Sequence, residues 1–143
     1  ASWSPSSISY TGYNRTHMIR IPDPGRFELR LMDGSANPYL LQASVLAAGL
    51  DGLKNKINPG KPLNCNMYED FKKYPNLPKL PDELDQSLEK LKNNKDMNEA
   101  FGKKILDSYI KLRTSEIKEF KQKENLDKTK SITSWERDNT LDC

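Results

Sequence analysis

The chain has 143 residues, of which 23 are basic and 20 acidic, for a net charge of +3. That near balance gives no electrostatic case for nucleic-acid binding, and no apolar run approaches the roughly 18 residues that would span a bilayer. A single histidine, His17, excludes a self-contained His-based metal site.

The length suits about one domain, but the apolar residues are uneven. Residues 15–57 are dense in Leu, Ile, Ala and Val, while residues 61–143 are rich in Lys, Asn, Asp and Glu. Two cysteines, Cys65 and Cys143, make no disulfide framework, so a reducing, cytoplasmic setting is expected. With no initiator Met and an opening that reads as mid-loop, the chain is expected to be the C-terminal part of a longer protein.

Residues 1–13 are Ser- and aromatic-rich and read as a loop. Residues 14–31, NRTHMIRIPDPGRFELRL, read as a β-hairpin turning at Pro22-Asp23-Pro24-Gly25. Successive strand residues point to opposite faces. Thr16, Met18 and Arg20 therefore share one side of the first strand, and Arg26, Glu28 and Arg30 one side of the second. His17, Ile19 and Ile21, with Phe27, Leu29 and Leu31, form the opposite sides, which are expected to pack on a core.

Asn37-Pro38 is a helix start, with Asn as N-cap and Pro at the first helical position. The helix is expected over 38–56. Its core, LLQASVLAAGL, has almost no charge and predicts burial on most sides, with Ala43, Ser44, Ala47, Ala48 and Gly49 admitting a close neighbour. Five prolines (Pro59, Pro62, Pro75, Pro78 and Pro81) make residues 58–81 an irregular excursion. Asp82-Glu83 opens a helix with Leu84, Leu88 and Leu91 at helical spacing, ended by Asn93-Asn94. A short helix follows over about 97–102, then an amphipathic helix over 103–124 with Ile105, Leu106, Tyr109, Leu112, Ile117 and Phe120 as its stripe. Residues 125–133 are a polar break, and Thr133 caps a last turn around Trp135.

Three arginines and a glutamate on one hairpin face admit two readings. One is a structural ion-pair ladder with Glu28 between Arg26 and Arg30. The other is a polyanion site. Guanidinium forks suit phosphate and carboxylate oxygens and stay charged at any working pH. A carboxylate among them makes sense if it holds a divalent cation that bridges phosphate oxygens, the equipment of phosphoryl transfer. Arg15 adds a positive group at the strand's entrance. The sequence holds no P-loop, nucleophile motif or Cys/His dyad.

NRTHMIRIP, RFELRL and DGSANPYLLQASVLAAGLDGLKNKINPG together closely resemble the C-terminal catalytic region of glutamine synthetases, from about Pro5 to Gly60. The later helices and the final WERDNTLDC resemble the family more loosely. The resemblance implies an α+β fold, with an antiparallel β-hairpin from a larger curved sheet and flanking α-helices. It implies that residues 1–143 are the C-terminal part of the catalytic domain, with 1–57 holding the active-site hairpin and core helix and 58–143 the Pro-rich excursion and C-terminal helices. The implied reaction is ATP-dependent ligation of glutamate and ammonia to glutamine through γ-glutamyl phosphate, with Mg2+ or Mn2+, in a homo-oligomeric ring.

Residue by residue, the resemblance gives Arg15 and Arg20 the nucleotide phosphate and the reacting γ-carboxyl region, and Arg26 nucleotide phosphate. It gives Glu28 the second divalent metal and Arg30 the carboxylate of substrate glutamate. Other metal ligands, the adenine pocket and a further glutamate-binding arginine lie upstream in the family.

Three departures stand out. The hairpin loop is short and lacks a basic residue. Trp3 stands where the family's flap has the glutamate that handles ammonium. Tyr68 sits near a tyrosine adenylylated in some members, but NCNMYEDF matches that site poorly and reads as an ordinary surface segment. The short flap and PGRFELRL resemble the divergent type III or GlnT-like branch, similar to γ-glutamylmethylamide synthetases, so methylamine is the alternative amine. A non-catalytic module of the same fold is the reading from outside the enzymes.

Overall fold

The computed structural model describes residues 4–123 and 132–140; Trp3 and Cys143 lie outside these. Among the described residues the fold is α+β, with a three-stranded sheet and six α-helices. The chain forms two compact units, 1–33 with 58–82 and 34–57 with 83–143. Composition divides the chain after residue 57, whereas contacts put the Pro-rich excursion in the same unit as the hairpin, through backbone bonds to residues 6–10. Ile8 N donates to Pro78 O (2.8 Å), Leu80 N to Ser6 O (3.0 Å) and Leu63 N to Tyr10 O (3.0 Å).

The sheet of the first unit has the order β1 (Tyr10–Thr11), β2 (Ile19–Asp23), β3 (Arg26–Leu29). β1 runs parallel to β2 and β2 antiparallel to β3. The first hairpin strand starts later than alternation suggested, at Ile19. The Asn14 side-chain oxygen accepts from Thr16 N (3.0 Å) and from the Thr16 hydroxyl (2.6 Å). That local turn competes with strand pairing and leaves 14–18 irregular. β3 ends at Leu29, but Arg30 N still donates to Met18 O (2.9 Å), which extends the pairing by one bond. Pro24 and Gly25 make the turn; Gly25 has φ +79°, and Pro followed by a positive-φ Gly is the residue order of a type II turn.

The expected apolar face is only partly covered in this unit: His17 is buried and Ile19 and Leu29 are half-buried, but Ile21, Phe27 and Leu31 are exposed. Among the described residues of this unit the buried ones are mostly polar. His17 and Thr11 are fully enclosed and Ser9 is buried, with Met67, at the start of α2 (Met67–Asp70), as the buried apolar residue. A 3-10 turn, Phe71–Lys73, follows α2. Beyond it the Tyr74 phenol is held above its ordinary range, chiefly by a hydrogen bond to Cys65.

In the second unit α1 (Pro38–Lys54) starts as predicted, with the Asn37 side chain accepting from Tyr39 N (3.0 Å) and Leu40 N (3.1 Å). It ends before Lys56, which takes a left-handed φ of +49°. The expected burial does not occur. No α1 residue is buried, and Tyr39, Leu46, Leu50 and Leu53 are 66% to 84% exposed. Low charge predicts burial only if something lies opposite, and among the described residues of this unit the main packing partner of the helix is the short α4. A Cβ at Gly49 would meet nothing within 4 Å, so the close approach that the small residues allow is not used there.

The remaining helices are α3 (Leu84–Asn93), α4 (Lys95–Phe101), α5 (Lys103–Lys123) and α6 (Ser134–Thr140). Asn94 ends α3 and caps α4 by accepting from Met97 N (2.9 Å); Gly102, at φ +78°, turns α4 into α5. Leu88 of α3 and Leu106 of α5 are the buried apolar residues here. The α5 stripe continues through Tyr109, Ile110, Arg113, Ile117 and Phe120, while Ile105 and Leu112, both expected on it, are exposed. Lys121 Nζ bonds Asp85 Oδ2 (2.8 Å) across α5 and α3. This bond holds the Asp85 carboxyl below its usual range and the Lys121 amine above its own.

Thr133-Ser134-Trp135-Glu136 forms a capping box. Glu136 N donates to Thr133 Oγ1 (3.1 Å) and Thr133 N to Glu136 Oε2 (2.8 Å). The box aims Trp135 edge-on at Phe120, with ring centroids 5.4 Å apart. Thr133→Ala is expected to cost about 1 kcal/mol locally, read as several-fold faster amide exchange in α6 with α5 unchanged.

Candidate active-site wall on the hairpin

Cross-strand register builds the charged face. Arg20 lies opposite Glu28, and its Nη1 donates to Glu28 Oε1 at 2.8 Å. Arg20 Nε donates to Tyr13 O (3.0 Å), which fixes the guanidinium plane. Arg26 Nη2 sits 3.8 Å from the same Glu28 oxygen and 3.3 Å from Asp23 Oδ2. The Arg20 and Glu28 side chains are 21% and 29% exposed, whereas that of Arg26 is 59% exposed. The structure thus brings Arg20, Arg26 and Glu28 together.

It does not bring all five predicted residues into one cluster. Glu28 pairs with Arg20 and Arg26, where the ladder reading placed it between Arg26 and Arg30. Among the described residues Arg30 makes no ion pair, and its buried Nη1 has no hydrogen-bond partner. Arg15 sits on the irregular segment before β2, exposed.

Two residues were not legible as parts of this region. Asp23 joins the charged face because the register slips between Arg20 and Asp23, so Asp23 pairs with Arg26. Pro22 inside the strand was the available signal, since proline within a strand marks a bulge. His17, expected on the core-facing side of the strand, is buried there, and what alternation does not show is its polar role as the hub beneath the segment carrying Arg15: Nδ1 lies 2.9 Å from Ser9 Oγ and Nε2 3.0 Å from Cys65 O.

The carboxylate of Glu28 is a fair donor for a hard cation, and its two arginine contacts, at 2.8 and 3.8 Å, both fall on Oε1. A divalent cation takes about six oxygens. No group of three or more His, Cys, Asp or Glu that would hold a metal occurs among the described residues. Glu28 therefore fits as one ligand of a shared site, not as a site in itself. No described helix is long and apolar enough to cross a membrane.

Residues 1–138 match the family described as glutamine synthetase, catalytic domain. The chain belongs to the glutamine synthetase catalytic-domain family. It is 43% identical over 142 residues to a glutamine synthetase of Rhizobium meliloti, covering 99% of this chain and 31% of that protein. It is 36% identical over 145 residues to a glutamate–methylamine ligase of Methyloversatilis universalis, covering 99% of this chain and 30% of that protein. Among solved structures, a GmaS/ADP complex superposes with a TM-score of 0.80 at 40% identity, over 99% of this chain and 30% of that one. The chain thus spans about a third of the length of these glutamine synthetase relatives, and the charged hairpin lies within the matched part.

Proposed function

We propose that the full-length protein is an ATP-dependent ligase that joins glutamate and ammonia to glutamine through γ-glutamyl phosphate, and that the hairpin is one wall of its active site. The observation that carries this reading is the single face on which Arg20, Arg26 and Glu28 converge, in a chain of this family. A ladder alone also leaves a buried Arg30 nitrogen without a partner. An unpaired buried donor is costly, and a substrate carboxylate would satisfy it.

In this reading Arg30 holds the carboxylate of glutamate. Arg15, Arg20 and Arg26 bind nucleotide phosphate, with Arg15 and Arg20 also countering charge at the reacting γ-carboxyl. Glu28 would hold the second divalent cation, Mg2+ or Mn2+, together with ligands from other parts of the protein. Such a cation, when bound, neutralises charge on the phosphate oxygens during transfer. The chain's own contribution is positioning and fixed positive charge, which is most of what phosphoryl transfer asks of a protein. ATP as co-substrate suits a cytoplasmic enzyme, and a homo-oligomeric ring, with sites between subunits, suits the uncovered apolar faces of the hairpin and α1.

A second reading keeps the chemistry and changes the amine. Likeness to a glutamate–methylamine ligase and to GmaS favours methylamine, as does the placing of Trp3 at the flap position. Product formation by the full-length protein decides between them. Glutamine from ammonia, formed faster than N-methylglutamine from methylamine, is expected. The reverse order supports the second reading, and glutamate-dependent ADP release with neither amine refutes both. The 143-residue chain alone is expected to be inactive, because one ligand does not assemble the metal site.

Arg30→Ala is expected to raise the KM for glutamate by about tenfold or more, the worth of a charge-assisted pair, with the KM for ATP unchanged. Equal changes in both constants would remove Arg30 from the glutamate site.

A further inference from the structure

The segment carrying Arg15 has no regular structure, yet it is tied down on both sides of that residue. Asn14 Nδ2 donates to Cys65 O (2.7 Å), and His17 Nε2 lies 3.0 Å from the same oxygen. Met67 N donates to Thr16 Oγ1 (2.9 Å), while the Thr16 hydroxyl donates to Asn14 Oδ1 (2.6 Å). A carbonyl only accepts, so His17 Nε2 carries the proton and Nδ1 accepts from the Ser9 hydroxyl at 2.9 Å. His17 is wholly enclosed. Asn14, Thr16 and His17 face the 65–67 segment, and Arg15 alone turns outward.

A guanidinium that must meet phosphate gains from a fixed base, since a small misplacement costs rate or affinity out of proportion to its size. We propose that the 65–67 segment of the Pro-rich excursion is a latch that sets the position of Arg15, with His17 as its positioning residue through the Cys65 carbonyl. This rests on the reading of Arg15 as a phosphate-binding arginine. The 65–67 segment is not bonded to Arg30, the arginine read as holding the carboxylate of glutamate, so loss of the latch weighs more on the nucleotide than on glutamate.

The test is steady-state kinetics of the full-length protein with ATP and glutamate varied separately. In His17→Gln the amide nitrogen reaches where Nε2 stood and keeps the bond to Cys65. In His17→Asn the shorter amide reaches Ser9 and loses Cys65. His17→Asn is expected to raise the KM for ATP about tenfold and the KM for glutamate by less than about threefold, while His17→Gln stays within about twofold of wild type in both. Wild-type KM for ATP in both variants, or ATP and glutamate constants rising by equal factors, overturns the latch. Should His17→Asn not accumulate as folded protein, Thr16→Val removes the acceptor of Met67 N. It is expected to give the same larger rise for ATP, and an unchanged constant overturns the proposal. Arg15→Ala separates the two claims. A raised KM for ATP there, with none in the latch variants, removes the latch and leaves the phosphate reading standing. An unchanged KM for ATP in Arg15→Ala removes the phosphate reading and the latch's role with it.

Discussion

Glu28→Gln in the full-length protein is expected to lower kcat by about a hundredfold or more and to raise the divalent cation needed for half-maximal rate. The size follows from the proposed role, since removing charged density aimed at a transferring phosphoryl group typically costs about two to three orders of magnitude. The fold survives, because the Gln oxygen still accepts from Arg20, whose distance to Glu28 is 2.8 Å. What the structure loses is the charge assistance of a pair whose members are 21% and 29% exposed, worth about 1 kcal/mol or less. The two readings of the face thus differ by magnitude. A structural ladder gives a small loss of stability and an unchanged rate, whereas an active-site wall gives a large loss of rate and almost none of stability. Steady-state rates as a function of Mg2+, with a thermal melt on the same sample, read both at once.

His17→Ala has the largest expected effect on stability, about 3 kcal/mol. The imidazole is fully enclosed, so its removal leaves a cavity and strips the Ser9 hydroxyl of its partner. Cys65 O keeps Asn14 as a donor at 2.7 Å, which limits the loss on that side. Against a typical total of about 5–15 kcal/mol, this is a large share. It is expected as roughly hundredfold faster exchange of the Leu63 and Met67 amides, which bond to Tyr10 O and Thr16 Oγ1 across the same unit. Unchanged exchange there would show that the buried histidine is dispensable to this unit.

Local signals carried the helices well. Asn37-Pro38 marks the start of α1, Asn93-Asn94 the end of α3 and Thr133 the cap of α6, while the short helix expected over about 97–102 runs over Lys95–Phe101 and is closed by Gly102. Each is a short-range device with its own backbone bonds, so it is readable from neighbouring residues. Burial was less legible. The uncharged α1 read as a core helix, but burial depends on what lies opposite, which no local pattern contains. The short parallel β1 was hidden for the same reason, since its partner β2 comes eight residues later and a two-residue strand has no period to read.

At the hairpin, alternation correctly put Arg20 with Glu28 and Arg26. It misplaced the ladder and the strand's start because it has no term for an Asx turn at Asn14 or a bulge at Pro22. The roles of the five residues came from the family resemblance and not from spacing.

Counting bound Mn2+ by electron paramagnetic resonance in the full-length protein tests the central claim most directly. With ADP present, wild type is expected to bind one more Mn2+ per subunit than Glu28→Gln at micromolar free metal, the two proteins being equally folded. Equal stoichiometry and affinity in the two would contradict the account and return the hairpin face to a structural ion-pair cluster.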